Sequence, residues 1–155
     1  AVDDTAHIIV AAEVGNNAAD VGQLLPMLKA VKDNTGQAPE QLLADAGYRS
    51  EKNLQDLAGS GITAVVALGR EGKRYAEIDA ERSPHTAAMA AKLQSNEGRA
   101  AYRRRKWIAE PPNGWIKSVL GFRQFSLRGL HRVQAEFKLV CLALNLRRMG
   151  SLKAA

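Results

Sequence analysis

The chain has 155 residues, 46% of them hydrophobic, which is enough to bury the core of one domain. No stretch approaches the ~20 consecutive apolar residues that span a bilayer, so the sequence predicts a soluble protein with no membrane partner. The single cysteine, Cys141, excludes an internal disulfide and favours a reducing cytoplasm.

The net charge of +6 is unevenly distributed along the chain. Residues 99–150 hold twelve lysines or arginines and only two acids, Glu110 and Glu136, whereas residues 1–98 hold nine bases and fourteen acids. Such asymmetry indicates a polyanionic partner. A carboxylate within a phosphate-binding surface repels its ligand unless it holds a divalent cation that the phosphate also binds. Glu110 is therefore a candidate metal ligand.

The N-terminal segments predict a hairpin strand followed by a helix. Residues 7–14 are mostly apolar and β-branched and follow the turn-like residues 3–6, so they resemble the second strand of a hairpin. This start, without a methionine, indicates a fragment of a longer protein. Asp20 is placed to cap a helix whose apolar period continues through Val31 and ends near Gly36.

The next segments predict two buried parallel strands. Residues 42–44 and 62–68 are short apolar runs, and Ser50 is placed to cap a short helix between them. A strand, a crossover helix and a second strand imply parallel pairing, and functional groups then sit at the carboxyl ends of the strands. Asp45 lies at such an end. The polar residues 69–84 predict a mobile loop.

The second half of the chain predicts helices. Residues 86–93 should form one, and the chain after Glu97 reads as helical with interruptions at Pro111-Pro112, Gly114, Gly121 and Gly129. Because Pro112 disfavours the α conformation at Pro111, a helix should begin no earlier than Pro112 and leave Glu110 just ahead of it. The last helix carries an apolar stripe of Leu130, Val133, Phe137, Val140, Cys141 and Leu144.

Two groups of residues carry a recognisable pattern. Leu43-Ala44-Asp45-Ala46-Gly47-Tyr48 is similar to the second-aspartate motif of the DDE transposases of bacterial insertion sequences. The set Tyr102, Arg105, Glu110 and Lys117 resembles the tyrosine, arginine, glutamate and lysine signature around that family's catalytic glutamate. Further likeness, in the family's order, lies in residues 121–125, 128–130 and 145–148. The resemblance covers essentially the whole chain.

The resemblance implies an α/β fold class, with a ribonuclease-H-like mixed sheet flanked by helices, a missing first strand and a helical C-terminal region. Residues 1–155 would form a single catalytic-domain fragment, with an acidic sheet half at 1–98 and a basic helical half at 99–155. The implied function is metal-dependent DNA cleavage and strand transfer in the bacterial cytoplasm. Its partners would be double-stranded DNA, both transposon ends and target, and further copies in a homo-oligomer.

The implied site holds two Mg²⁺ or Mn²⁺ ions, ~3.5–4 Å apart, on the carboxylates of Asp45 and Glu110. The catalytic residues would be the same two. The residues implied to contact DNA are Tyr102, Arg105, Lys106, Lys117 and Arg123. Lys117 lies seven positions after Glu110, on the same face if the helix is regular.

The sequence departs from the family pattern at two points. Four residues separate Arg105 from Glu110 where three are usual, so Lys106 occupies the expected slot. The aspartate of the family's first strand has no counterpart, and Asp3 is a poor substitute, which predicts that the fragment alone is catalytically incomplete. Two alternatives therefore stay open: a catalytically inactive DNA-binding remnant, and a ribonuclease-H-like nuclease without strand transfer.

Some of these residues also have purely structural interpretations. Asp45 before Ala46-Gly47 is typical of a turn aspartate, and residues 103–106 of a solvated helix face that contacts phosphate only in part. For Trp107 and Trp115, packing is favoured over stacking on a base. The three histidines are scattered, which argues against zinc.

Overall fold

The computed structural model describes residues 1–69 and 78–154. They form two compact units, each described here by itself. The sheet unit comprises Ala19–Arg105, and the helical unit comprises Ala1–Ala18 with the chain from Lys106 onward. Half of the predicted loop at 69–84, residues 70–77, lies outside the described part. No helix within the described ranges is long and apolar enough to cross a membrane.

The sheet unit is built on two short parallel strands, β1 (Gln41–Ala44) and β2 (Thr63–Val66). Leu42 lies opposite Ala64 and Ala44 opposite Val66. The predicted α/β class and the parallel pairing are therefore confirmed. The helices of this unit are α1 (Leu24–Thr35), α2 (Glu51–Ala58), α3 (Pro84–Gln94) and the first part of α4 (Asn96–Gly114).

The core of the sheet unit lies where the strands meet α1, α2 and α3. Val66, in the middle of this cluster, is completely inaccessible to solvent. Leucines from α1 and α2 and Met89 and Ala90 from α3 join it in one apolar cluster. Burial of such side chains contributes about 1.5–3 kcal/mol each, so these short elements are held mainly by packing.

Two of the predicted helix boundaries are confirmed by their capping groups. Gly36 follows α1 with φ of +81°, a conformation that glycine adopts without strain, and its amide donates to the carbonyl of Lys32. Ser50 Oγ accepts a hydrogen bond of 3.0 Å from the amide of Asn53 at the start of α2. Each of these capping groups lies within a few residues of the backbone group that it bonds.

The prediction that Asp20 caps the first helix is wrong. Asp20 opens a 3₁₀ turn (Asp20–Gln23), and neither this turn nor α1 has a side-chain cap. The turn moves the start of α1 to Leu24, beyond the reach of Asp20, and puts Pro26 at the third helical position, where no N–H exists to be capped.

The N-terminal segment of the helical unit is not the predicted strand. Within the described residues it forms one antiparallel bridge, between Val2 and Ile9. The backbone further along is paired instead with side chains of α5 (Leu130–Ala154). Asn145 both donates to the carbonyl and accepts from the amide of Ile9, at 2.9 Å each, and Gln134 bonds Ala12 and Val14. These bonds replace those of a neighbouring strand.

The predicted break at Pro111-Pro112 is also wrong. Helix α4 continues through both prolines to Gly114, so Glu110 lies inside the helix rather than ahead of one. The carbonyl of Ala109 receives the side-chain amide of Asn113 at 2.8 Å, and Pro112 is buried. The two prolines remove the backbone donors to the carbonyls of Trp107 and Ile108, and the packing of Pro112 offsets part of this loss.

The remaining interruptions are found where they were predicted. A π-helical turn (Trp115–Val119) follows α4, and Gly121 and Gly129 take positive φ values on either side of a loop before α5. Glu136 of α5 accepts hydrogen bonds from the amides of Ser126 and Leu127, at 2.9 and 3.1 Å. The bond from the Ser126 amide is the main reason that the pKa of Glu136 is lowered. Glu136 thus anchors this loop.

The start of α3 is capped by a side chain from another helix. Glu51 of α2 accepts hydrogen bonds from the amides of His85 and Thr86, at 2.8 and 3.0 Å, and from the Thr86 hydroxyl at 2.6 Å. Desolvation raises the pKa of Glu51, but these hydrogen bonds outweigh it and lower the pKa overall. A carboxylate also suits the positive end of a helix.

We expect Glu51→Gln to lower the thermal stability at pH 7, because an amide cannot accept from all three donors. A lowered folded-state pKa means that the contribution of Glu51 is complete above the unfolded value of about 4.3 and is lost as the pH falls through the folded value. Melting temperatures of wild type and variant should therefore converge in acid. Glu40→Gln, at an exposed position, is the control, and a gap independent of pH would contradict this role.

Candidate active site

Asp45 lies directly after β1, at the carboxyl end of the strand, as predicted. Its Oδ1 accepts a hydrogen bond of 3.0 Å from the amide of Gly47, and its Oδ2 lies 3.3 Å from Nη2 of Arg105. The side chain is 48% exposed. The turn interpretation of Asp45 is thus confirmed, and its second oxygen forms an ion pair at the open edge of the sheet.

Arg105 approaches Asp45 from α4, 60 positions along the chain. Its guanidinium carbon lies 5.8 Å from the centre of the Tyr102 ring, one helical turn earlier, and its side chain is only 25% exposed. This stacking orients the guanidinium. The sequence pattern left both Arg105 and Lys106 as candidates for the position of the family's arginine, and within the sheet unit Arg105 contacts Asp45.

Asp20 joins this edge of the sheet unit, which the sequence interpretation missed. A Cβ atom on Gly47 would lie 3.1 Å from Asp45 Oδ1 and 3.2 Å from Asp20 Oδ2, so the two carboxylates flank the glycine. Only a residue without a side chain fits between them without displacing one or the other. In the sequence, Gly47 was the feature that could have indicated the two carboxylates beside it.

The pKa of the Tyr48 hydroxyl reflects the burial and the negative charges at the same edge. Burial raises the pKa of its hydroxyl, and the negative charges of Asp20 and Asp45 raise it further. Arg49, the next residue, donates to the carbonyl of Leu68 at 2.6 Å, just beyond β2. The loop after β1 therefore brings a carboxylate, a phenol and a cation to the carboxyl ends of the strands, and the turn before α1 adds the carboxylate of Asp20.

A buried amide holds this loop in place. Asn53 of α2 is 7% exposed, and its Nδ2 donates to the carbonyls of Val21 and Tyr48, at 2.8 Å each. One carbonyl belongs to the turn that carries Asp20, and the other belongs to the turn after Asp45. A single side chain thus fixes both turns against α2.

The helical unit carries the other predicted ligand, Glu110. Its side chain is exposed and has no hydrogen bond or ion pair with any residue that the structure describes. Because Glu136 is bonded to the loop before α5, Glu110 is the acid of the basic half that remains available to a ligand. Lys117 and Arg123 are likewise exposed and make no ion pair within the described ranges.

Lys117 does not follow Glu110 in a regular helix. The π-helical turn from Trp115 winds more widely than an α-helix and rotates Lys117 away from the position that a seven-residue α-helical spacing would give. The expectation that Lys117 and Glu110 share one helix face required a regular helix, so it does not hold. Trp107 is 77% exposed, so the packing expected for it is wrong, whereas Cys141 is buried as predicted.

The donor chemistry suits a hard divalent cation, because the candidate ligands are carboxylates. Within the described part of the chain, however, no group of three or more histidine, cysteine, aspartate or glutamate side chains is arranged to hold a metal. Asp3 is not available to complete such a group, since its oxygens accept from the amides of Thr5, Ala6 and Ile8.

We expect Asn53→Leu to destabilise the chain by about 2–4 kcal/mol, because it leaves two buried carbonyls without donors. Urea unfolding followed by circular dichroism measures this. Gln55→Leu, on the exposed face of the same helix, is the matched control and should change the free energy of unfolding by less than about 0.5 kcal/mol. Equal effects of the two substitutions would show that Asn53 has no special role.

Comparison with known proteins identifies the family. The model of the transposase DDE domain matches residues 1–146 of the chain. No curated protein and no solved structure matched in the same comparisons. Because the family model covers nearly the whole chain, including Asp45 and Glu110, the chain belongs to the transposase DDE domain family.

Proposed function

We propose that this chain supplies part of the active site for metal-dependent DNA cleavage and strand transfer by the transposase of a bacterial insertion sequence. The observation that carries the proposal is the contact between Asp45 and Arg105. Each belongs to a different motif of the family resemblance, and the fold of the sheet unit brings them together. An ion pair at the open end of a parallel strand is typical of a site rather than of a core.

The proposed fold is ribonuclease-H-like, with more strands than the two described. Parallel β1 and β2, joined through α2, support it as a fragment of such a sheet. The first metal-binding aspartate would come from outside this sequence. The reason is that Asp3, the nearest candidate, uses its carboxylate to organise its own turn.

Asp45 and Glu110 would hold Mg²⁺ or Mn²⁺ together with that aspartate. When bound there, the ions would supply Lewis-acid chemistry for an in-line displacement at phosphorus. Arg105 orients Asp45 and neutralises its charge, and Gly47 leaves room for the carboxylate. The exposure of Glu110 and its lack of partners in the described ranges fit a residue kept available for a ligand.

DNA would be bound by the basic half of the chain. Lys117 and Arg123 are exposed cations with no carboxylate partner among the described residues, so their charges are available to phosphates. Tyr102, Arg105 and Lys106 lie on α4 before Glu110 and would contact DNA near the cleaved bond. We place this activity in the bacterial cytoplasm, where the DNA is.

Assembly into a homo-oligomer would pair two DNA ends. An exposed apolar stripe on α5 supports this part of the proposal, since its residues recur at helical spacing and are more than half exposed. It is formed by Leu139, Leu142, Leu146 and Met149.

An inactive DNA-binding remnant is the second candidate function. The observation that favours it is the lack of a three-ligand group among the residues described. Such a remnant would bind DNA with a steep salt dependence but without divalent ions. A nuclease of the same fold would cut DNA without joining a 3′ end to a target, so a strand-transfer assay separates it from a transposase.

We expect Asp45→Asn and Glu110→Gln, each in the intact transposase, to abolish cleavage and strand transfer while DNA binding persists. Both changes keep the shape of the side chain and remove its charge. Asp33→Asn, at an exposed ion pair with Lys29 on α1, is the control and should leave all three activities intact. Gel assays with Mg²⁺ or Mn²⁺ measure the products, and wild-type cleavage by either site variant would refute the assignment.

We expect Gly47→Ala to reduce cleavage by less than the ~10²-fold loss that displacing a reacting group by about 1 Å causes, because its methyl group would displace the neighbouring carboxylates by a few tenths of an ångström. The new methyl group would lie 3.1–3.2 Å from oxygens of Asp45 and Asp20. Gly59→Ala, whose Cβ would lie 3.8 Å from the nearest atom, is the matched control. If both alanine variants cleave equally well, the crowding at Gly47 has no functional meaning.

A further inference from the structure

The helical unit contains a small cavity that the proposed metal site does not use. Its volume is about 110 Å³, well below the ~300–1,000 Å³ of pockets that hold drug-sized ligands or cofactors. It therefore has room for one compact group, not for a nucleoside. Six of its lining residues carry the argument: His7, Pro112, Trp115, Leu144, Arg147 and Arg148.

The cavity combines positive charge with an apolar wall. Arg147 and Arg148 line it, and neither forms an ion pair with a carboxylate in the described part of the chain. Pro112 and Leu144 contribute apolar lining, and a charge-assisted hydrogen bond beside apolar surface is stronger than in water. Unpaired arginines beside apolar surface favour an anion with several oxygens.

Both arginines are already held in position. The guanidinium carbon of Arg147 lies 4.8 Å from the centre of the Trp115 ring, so the ring supports it. Arg148 donates from Nε to the carbonyl of Ala6 at 2.8 Å, which leaves its terminal nitrogens for a ligand. Preorganised arginine forks are the groups that best match phosphate oxygens.

The third wall of the cavity is locally strained. His7 has φ of +56°, the one non-glycine residue with positive φ among those described. The turn that forces this conformation is fixed by Asp3, whose carboxylate accepts three backbone amides. Despite the opposing effect of burial, these bonds lower the pKa of Asp3. Backbone strain that the surroundings maintain is common at ligand sites.

We propose that this cavity binds a single phosphate group of the DNA backbone, with Arg147 and Arg148 as its ligands and Trp115 beside it. The proposal rests on the DNA binding in the proposed function and adds a defined contact to it. The residues that form the site come from the end of α4, from the π-helical turn and from α5, so the phosphate would be held by the same helical unit that carries Glu110.

The test uses fluorescence of Trp115 in the 155-residue chain carrying Trp107→Phe. Titration with inorganic phosphate at constant ionic strength, without divalent metal, should give a saturable change, and a short blunt-ended DNA duplex should compete. Arg147→Gln with Arg148→Gln should weaken phosphate binding roughly tenfold or more, since each removes charge-assisted hydrogen bonds. Calorimetry provides a readout independent of the tryptophan.

Arg128→Gln with Arg132→Gln removes the same charge from exposed positions outside the cavity and is the matched control. Equal phosphate affinities in the two double variants, or no saturable signal, would overturn the proposal. Phosphate binding that the duplex does not displace would overturn its assignment to DNA. If the double variant loses its circular dichroism spectrum, Arg147→Gln alone serves, because its side chain makes no hydrogen bond within the described residues.

The outcome is independent of the proposed catalytic function. The titration contains no metal and requires no cleavage, so cleavage by Asp45→Asn or Glu110→Gln would refute the catalytic assignment and leave the phosphate result unaffected. Conversely, a cavity that binds no phosphate would leave the metal-dependent activity of the intact transposase untouched.

Discussion

The side-chain amide of Asn53 is the interaction on which the sheet-unit site depends. It is buried in α2 and satisfies the carbonyls of Val21 and Tyr48, which would otherwise be desolvated acceptors without donors. These carbonyls belong to the turns that carry Asp20 and Asp45. An apolar side chain of the same size could fill the space but could not hold two independent turns at fixed distances. The polar residue in this core therefore sets the position of the carboxylates.

The carboxylates of the chain divide into those that hold the fold and those that remain available. Glu51, Glu136 and Asp3 each accept two or more backbone amides, and the pKa of each is lowered by these bonds. Such groups stabilise turns and helix ends at neutral pH and would lose hydrogen-bond energy if they turned toward a ligand. Asp45 has one amide and one arginine, and Glu110 has no partner among the described residues. This difference separates the structural acids from the candidate ligands.

Local signals in the sequence were sufficient for much of the sheet unit. The strands, the capping by Ser50 and the glycine after α1 depend on residues within a few positions of each other, and all were predicted. Asp20 was predicted as a helix cap and Asn53 was not singled out, because their roles come from contacts with segments more than 20 positions away. The prediction of an N-terminal strand was wrong for the same reason. Gln134 and Asn145, over 100 positions away, accept the hydrogen bonds of its backbone amides. Distant partners override local propensity.

The two prolines that directly follow Glu110, the candidate ligand, also line the cavity. Rules for isolated helices predict a break, yet α4 continues through both prolines, and Pro112 is buried. The strain of this last turn is followed at once by the wider π-helical turn, which moves Lys117 out of the register of Glu110 and brings Trp115 to the wall of the cavity beside Pro112. Lys117 and Arg147 are both exposed, and Arg147 is stacked on Trp115. In a regular α-helix, this segment would lack the wider turn that sets the positions of Trp115 and Lys117.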